Sequence, residues 1–237
     1  MKRRERPRHE LPEGVSQKER TANIKEAWTP KTAVGIKVKA GEITDIKEIL
    51  DQGVRILEAE IVDLLLPNLE TELLMVGQSK GKFGGGKRSI WRQTQKKTKE
   101  GNKPTFATLV AMGNKEGYVG VGHGRAKETV PAREKATRKA KLNIMSVKMG
   151  CGSWDCSCKE NHSIPAQTEG RCGSVRITLI PAPRGTGLKT EKEVQKVLTL
   201  AGIKDIYSRT SGQTRTKMNL IYATMDALQK MNKLKIR

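Results

Sequence analysis

The sequence predicts an α+β fold in two domains, on three observations. Apolar residues recur at helical spacing between positions 43 and 66, then switch to strand-like spacing from Glu70. A strand–turn–strand–helix series occupies 106–144, and a second strand–helix–strand–helix series occupies 173–231. The 237 residues are enough for two apolar cores. With aromatics at 3%, those cores must be built from Val, Ile, Leu, Ala and Met.

Residues 1–42 read as a basic, flexible arm, opened by Lys2-Arg-Arg-Glu-Arg-Pro-Arg, with Trp28 expected to anchor its end to something apolar. Thr44 can cap a helix carrying Ile46, Ile49 and Leu50. Gly53 interrupts, and a second helix carries Ile56, Ile61, Leu64 and Leu65 up to Pro67. These helices lead the first domain, 43–146. Leu73-Leu-Met-Val is strand-like, and residues 79–104 read as a long Gly- and Lys-rich loop. The hairpin 106–125 turns at Asn114-Lys-Glu-Gly. A helix from about 129 to 144 follows, with Ala132, Ala136 and Ala140 on one side and Arg133, Lys135, Arg138, Lys139 and Lys141 on much of the rest. The second domain, 147–237, holds a Cys-rich insert (151–172), a strand from Gly173, a helix from Thr190 to Gly202, a short strand at 205–208, a polar loop at 209–217 and a final helix.

The formal charge is +21, and it is unevenly spread. Residues 1–75 carry a net −1, residues 76–150 a net +14 and residues 151–237 a net +8. Self-repulsion on that scale calls for a polyanionic partner. No apolar run approaches the roughly 20 residues that cross a bilayer, and Met1-Lys-Arg-Arg is followed by Glu and Pro rather than a signal-type apolar core. The expected partner is therefore a nucleic acid, with no membrane and no small-molecule substrate.

Gly81-Lys-Phe-Gly-Gly-Gly-Lys87 fits the first seven positions of a phosphate-binding loop, but Arg88 stands where a hydroxyl should ligate magnesium, and no helix follows. The segment instead suits backbone approach to nucleic-acid phosphates, with Lys80, Lys82, Lys87, Arg88, Arg92, Lys96 and Lys97 supplying charge. Four glycines at 117, 120, 122 and 124 beside His123, Arg125 and Lys127 fit either a nucleic-acid backbone pressed on the hairpin or a close helix–strand contact. Cys151, Cys156, Cys158 and His162 crowd four sulfur or nitrogen ligands into twelve residues. A structural zinc site is the preferred reading, with Cys172 as substitute ligand and free thiols as the alternative. No nucleophile or general base has a recognisable signature, so no enzyme is expected. The competing classes are a nucleotide-dependent enzyme built on Gly81–Lys87 and a free-standing RNA chaperone or chromatin protein.

Phe106-Ala-Thr-Leu-Val-Ala-Met-Gly-Asn-Lys-Glu-Gly-Tyr-Val-Gly-Val-Gly-His-Gly-Arg125 resembles the N-domain signature of the small-subunit ribosomal protein five family. Gly173-Ser-Val-Arg-Ile-Thr-Leu-Ile-Pro-Ala-Pro-Arg-Gly-Thr-Gly187, Ala201-Gly-Ile-Lys-Asp-Ile-Tyr and Gly212-Gln-Thr-Arg-Thr resemble its C-domain. Cys151-Gly-Ser-Trp-Asp-Cys156 is similar to archaeal members. The resemblance implies a double-stranded-RNA-binding-like N-terminal domain and a C-terminal domain with a left-handed β-α-β crossover. It implies a cytoplasmic, ribosome-bound protein that binds small-subunit rRNA near the decoding region. It further implies contact with mRNA at the entrance channel and with ribosomal proteins four and eight, supporting assembly, accuracy and passive mRNA unwinding. On this chain the RNA-facing elements become the loop 79–97 and the hairpin 117–125, with the basic helix residues Arg133 and Arg138 beside them. Arg184 and, in the 209–217 loop, Arg209 and Arg215 are secondary candidates. Residues 91–103 form an insertion richer in Lys and Gln than the family pattern.

Overall fold

Strand β3 (Gly101–Gly113) is buried over its second half and exposed over its first. Residues 107–113 are apolar or small on both faces, so both faces need a covering layer. β1 (Glu70–Leu74) and β4 (Tyr118–Ala126) pair with it antiparallel, and β5 (Ile144–Ser146) adds to β4. The exposed half of β3 pairs instead with β2 (Arg92–Thr98), as a two-stranded ribbon running out of the sheet. The computed structural model describes residues 25–79, 81, 88–158 and 160–234.

That ribbon corrects the expected loop over 79–104. Its residues are polar on both faces, so they show no apolar alternation from which a strand could be read. Local chemistry holds it instead. The Thr94 and Thr105 hydroxyls bond across the strands at 2.8 Å, and Gly101 takes the positive φ (+115°) that the tight turn needs.

One face of the sheet is covered by α4 (Thr129–Leu142), whose buried side is Ala132, Ala136 and Ala140. Against it stand Gly124, Gly122 and Gly120. A Cβ added at these positions would overlap the carbonyl oxygens of Ala132, Ala136 and Ala140 respectively. Two residues along a strand advance about 6.6 Å and four along a helix about 6 Å, so the two rows stay in step. The glycine-rich hairpin is therefore a helix–sheet contact. The expectation that these glycines admit a nucleic-acid backbone is corrected, because their face is already occupied.

α3 (Ala59–Leu65) packs against α4 and α2 (Ile46–Asp51) against β5, and α1 (Ala33–Ala40) joins them through one apolar cluster. Trp28, Val38, Ile49, Ile61 and Ile144 share their core. A flexible arm running to residue 42 is thus not what is found from Trp28 onward. Thr32 caps α1 by accepting the Gly35 N–H at 3.1 Å, and the Glu58 carboxylate accepts the Lys31 and Thr32 N–H groups at 2.9 and 2.7 Å. Burial alone would raise the Glu58 pKa, but these backbone donors, with Thr32 and Trp28 side chains, hold it below the usual carboxylate range. Residues 1–24 lie outside the described residues.

The C-terminal sheet has the order β6-β7-β9-β8, from β6 (Thr168–Cys172), β7 (Val175–Pro181), β8 (Leu188–Lys189) and β9 (Ile206–Ser211). β8 and β9 are parallel and joined through α5 (Lys192–Ala201), a β-α-β crossover. α6 (Lys217–Lys233) lies against β6 and β7. The two sheets share one apolar core: Leu109 and Val121 of the first join Val197 and Leu198 of α5 and Ile177 of the second. Glu193 of α5 also accepts the Met75 N–H at 2.8 Å. The basic polar loop expected from 209 begins later, because Arg209 lies on β9.

Candidate nucleic-acid interface and metal centre

Directly opposed residues on antiparallel strands share a face. The register therefore places Arg92, Ala107 and Arg125 in one row, Lys96 opposite Lys103, and His123 opposite Leu109. This is the sheet face that meets α5 further along, continued outward onto the ribbon. Arg125 Nη2 donates to Thr105 Oγ1 at 3.0 Å, which ties its guanidinium to the ribbon. His123 is half-buried; burial first, then the charges of Lys139, Arg125 and Arg92, lower its pKa and favour the neutral imidazole. Like charges gathered around a histidine in this way form a local positive field ready for an anion.

The expected RNA contacts divide on this frame. Arg92, Lys96, His123 and Arg125 come together. Lys97 sits opposite Asn102 on the other face of the ribbon. Arg133 and Arg138 are exposed on α4, across the sheet, and Lys127 is exposed just after β4. Arg88 is half-buried and bridges Ser79. Lys80, Lys82 and Lys87 fall outside the described residues, with most of the Gly81–Lys87 segment. Arg184 is removed from the cluster and pairs with Glu160 at 3.0 Å. Arg209 and Arg215 are exposed in the C-terminal domain. Lys103 belongs with the cluster but was not singled out in the sequence, because only the ribbon register sets it opposite Lys96; Lys139 acts on His123 through its charge, from α4.

The second site lies in the insert before β6. The ligand atoms of Cys151, Cys156, Cys158 and His162 all lie within 4.8 Å of one another. Cys158 Sγ is 3.0 Å from Cys156 Sγ and 3.6 Å from Cys151 Sγ, and His162 Nε2 is 3.8 Å from Cys156 Sγ. The Cys156 thiol is lowered to about 6, first by the Cys158 thiol and then by the backbone N–H groups of Arg184 and Cys158. Cys151 is pushed up to about 11, first by burial and then by the neighbouring Cys156 and Cys158 thiols. A shared proton and one readily formed thiolate are what a metal would displace. The cluster can thus hold a metal ion through three sulfurs and one nitrogen, leaving no protein-side vacancy for catalysis.

The imidazole is aimed from behind. His162 Nδ1 meets Asp205 Oδ2 at 2.9 Å with both side chains buried. Asp205 Oδ1 accepts the Gly187 N–H at 2.7 Å, and the Lys204 and Asp205 N–H groups donate to the His162 carbonyl. Sequence reading missed Asp205, which stands 43 residues from its partner. Cys172, the expected substitute ligand, lies at the end of β6 packed on the C-terminal core, outside the cluster.

Comparison with known proteins agrees with both halves of the fold. Residues 90–148 match the family model of the ribosomal protein S5 N-terminal domain, and residues 170–236 match that of the ribosomal protein S5 C-terminal domain. The chain is 50% identical over 215 residues to small ribosomal subunit protein uS5 of Nanoarchaeum equitans, covering 91% of this chain and 92% of that protein. It is 48% identical over 210 residues to uS5 of Methanocaldococcus jannaschii, covering 89% of each. To uS5 of Pyrobaculum calidifontis it is 47% identical over 202 residues, covering 85% of this chain and 93% of the relative.

Proposed function

Because the chain belongs to the ribosomal protein S5 family, in its archaeal form, we propose that it binds small-subunit rRNA through the Arg92–Lys96–Lys103–Arg125 face and is braced by a structural zinc. The family is a structural, non-enzymatic part of the cytoplasmic small ribosomal subunit, associated with rRNA. On this reading the chain sits near the decoding region and the mRNA entrance channel and touches ribosomal proteins four and eight. There it supports assembly, accuracy and passive unwinding of mRNA.

The observation that carries the rRNA reading is the register that sets Arg92 and Arg125 in one row and Lys96 opposite Lys103 on the same face, beside His123, on a ribbon whose lysines face solvent. Backbone phosphates are the ligand that such a field attracts, and they position RNA without reading its sequence. Unwinding here needs no fuel: cations that hold single strands shift the pairing equilibrium by mass action.

Zinc is the metal that suits three thiolates and an imidazole. With bonds of about 2.3 Å to sulfur and about 2.0 Å to nitrogen, a tetrahedral site has ligand separations of about 3.5–3.8 Å. The 3.6 and 3.8 Å separations match, and the 3.0 Å pair needs to open slightly. The Asp205 carboxylate behind the imidazole is the companion such sites use.

The test is the salt dependence of binding to a folded small-subunit rRNA fragment. Replacing Arg92, Lys96 and Arg125 with Ala should flatten the slope by about one unit per lost phosphate contact. An unchanged slope removes this face from the interface.

A further inference from the structure

The open face of the C-terminal sheet combines exposed cations with exposed aromatic rings. The residues of β7 alternate: Val175, Ile177 and Leu179 are buried on the side that carries α6, and Arg176, Thr178 and Ile180 point the other way. Register then sets three rows on the outer face. Arg171, Arg176 and Ser211 form the first, Glu169, Thr178 and Arg209 the second, and Ile180, Tyr207 and Lys189 the third. Arg176, Lys189 and Arg209 are exposed and form no ion pair among the described residues.

Two large rings stand at the end of this face. Trp154 is 96% exposed, whereas Trp28 is 8% exposed, and Tyr207 is 41% exposed. Both line one cleft of about 490 Å³ with Ile180 and Pro183. Trp154 belongs to the metal-binding insert, between Cys151 and Cys156, so a fixed insert would hold its ring over the sheet edge. A tryptophan left almost wholly in water gains nothing for the isolated fold, since its apolar area remains hydrated.

We propose that this cleft is a second RNA site, on which an unpaired base stacks between Trp154 and Tyr207 while the strand's phosphates follow Arg209 and Arg176. The inference rests on the RNA-binding reading above but on a surface of the other domain. Four cations without an ion pair among the described residues, Arg171, Arg176, Lys189 and Arg209, outnumber two carboxylates, Glu169 on the sheet and Asp155 in the cleft, and so favour a polyanion. Two rings lining one cleft favour flat bases over an acidic peptide. No base edge needs to be read, so the site takes single strands with little sequence preference.

Tryptophan fluorescence of the full chain, titrated with a short oligouridylate, tests this directly. Stacking should quench the Trp154 signal, taken as the difference between the unaltered chain and Trp154→Ala. Trp154→Ala and Tyr207→Ala should each weaken binding by about tenfold, and Trp154→Phe should keep most of it. Near-unchanged thermal unfolding of the Tyr207→Ala chain guards against misfolding. The Arg92→Ala, Arg125→Ala chain should quench as before, which separates this site from the N-terminal face. Oligouridylate binding that is indifferent to both rings overturns the proposal. So does an equal Trp154 response to polyglutamate, which would make the occupant an acidic protein segment.

Discussion

The Asp205 carboxylate joins two segments far apart in the chain, with Oδ2 2.9 Å from His162 Nδ1 and Oδ1 2.7 Å from the Gly187 nitrogen. It therefore fixes the imidazole that faces the three thiols and, with the same group, the turn that begins β8. The Arg184 N–H directed at Cys156 adds a second tie between the Cys-rich insert and this turn.

Asp205→Ala should lower zinc affinity by about 10–100-fold, read by competition with a chromogenic chelator. Loss of the carboxylate frees the ring to rotate and makes Nε2 a poorer donor. An Asp205→Asn chain, which keeps a hydrogen-bond acceptor, should fall between. Unaltered affinity in both would show that Asp205 serves only the Gly187 turn.

Cys172→Ser should leave about one zinc per chain, whereas Cys158→Ser should abolish stoichiometric binding. Metal analysis of the two purified chains decides it. A Cys172→Ser chain without metal would return that residue to the ligand set.

Gly122→Ala should destabilise the fold by about 3 kcal/mol or more, because the new methyl meets the Ala136 carbonyl and the Ala140 nitrogen, and backbone cannot step aside. Urea unfolding measures this. RNA affinity of the fraction still folded should be unchanged. A large loss of affinity at full stability would instead assign Gly122 to the RNA surface.

Glu58 links stability to pH. Its folded pKa is depressed, so the ionised group contributes fully above its unfolded value, about 4.3, and the contribution disappears as pH falls through the lower folded value. Between those limits, emission from Trp28 should shift towards that of exposed tryptophan in a chain carrying Trp91→Phe and Trp154→Phe. Glu58→Gln should remove the acid-dependent shift and cost about 1 kcal/mol near neutrality, through loss of charge-assisted bonds to the Lys31 and Thr32 N–H groups. An identical acid profile in both chains would exclude Glu58 as the titrating group.

Much of the architecture was legible. The alternation of Val175 to Ile180, the turn at Asn114–Gly117 and the alanine stripe 132–136–140 each carry a local pattern. The ribbon 92–104 was not legible, because a strand wet on both faces has no apolar period. Helix α1 was hidden for a related reason: among charged neighbours, its burial rests on Gly35 and Val38 alone. The candidate ligand cluster was visible from the crowding of cysteines and a histidine into one short insert. Their carboxylate support was not.

The sequence by itself determined the charge asymmetry, the two α+β units, the Cys/His cluster and the family signatures, since each is written in residues near one another in the chain. Tertiary structure alone decided that the hairpin glycines serve α4, that Arg92 and Arg125 share one row beside His123, and that Asp205 reaches His162. These relations depend on register and helix placement, and a contact between distant residues is fixed only when the shared core closes and sets both.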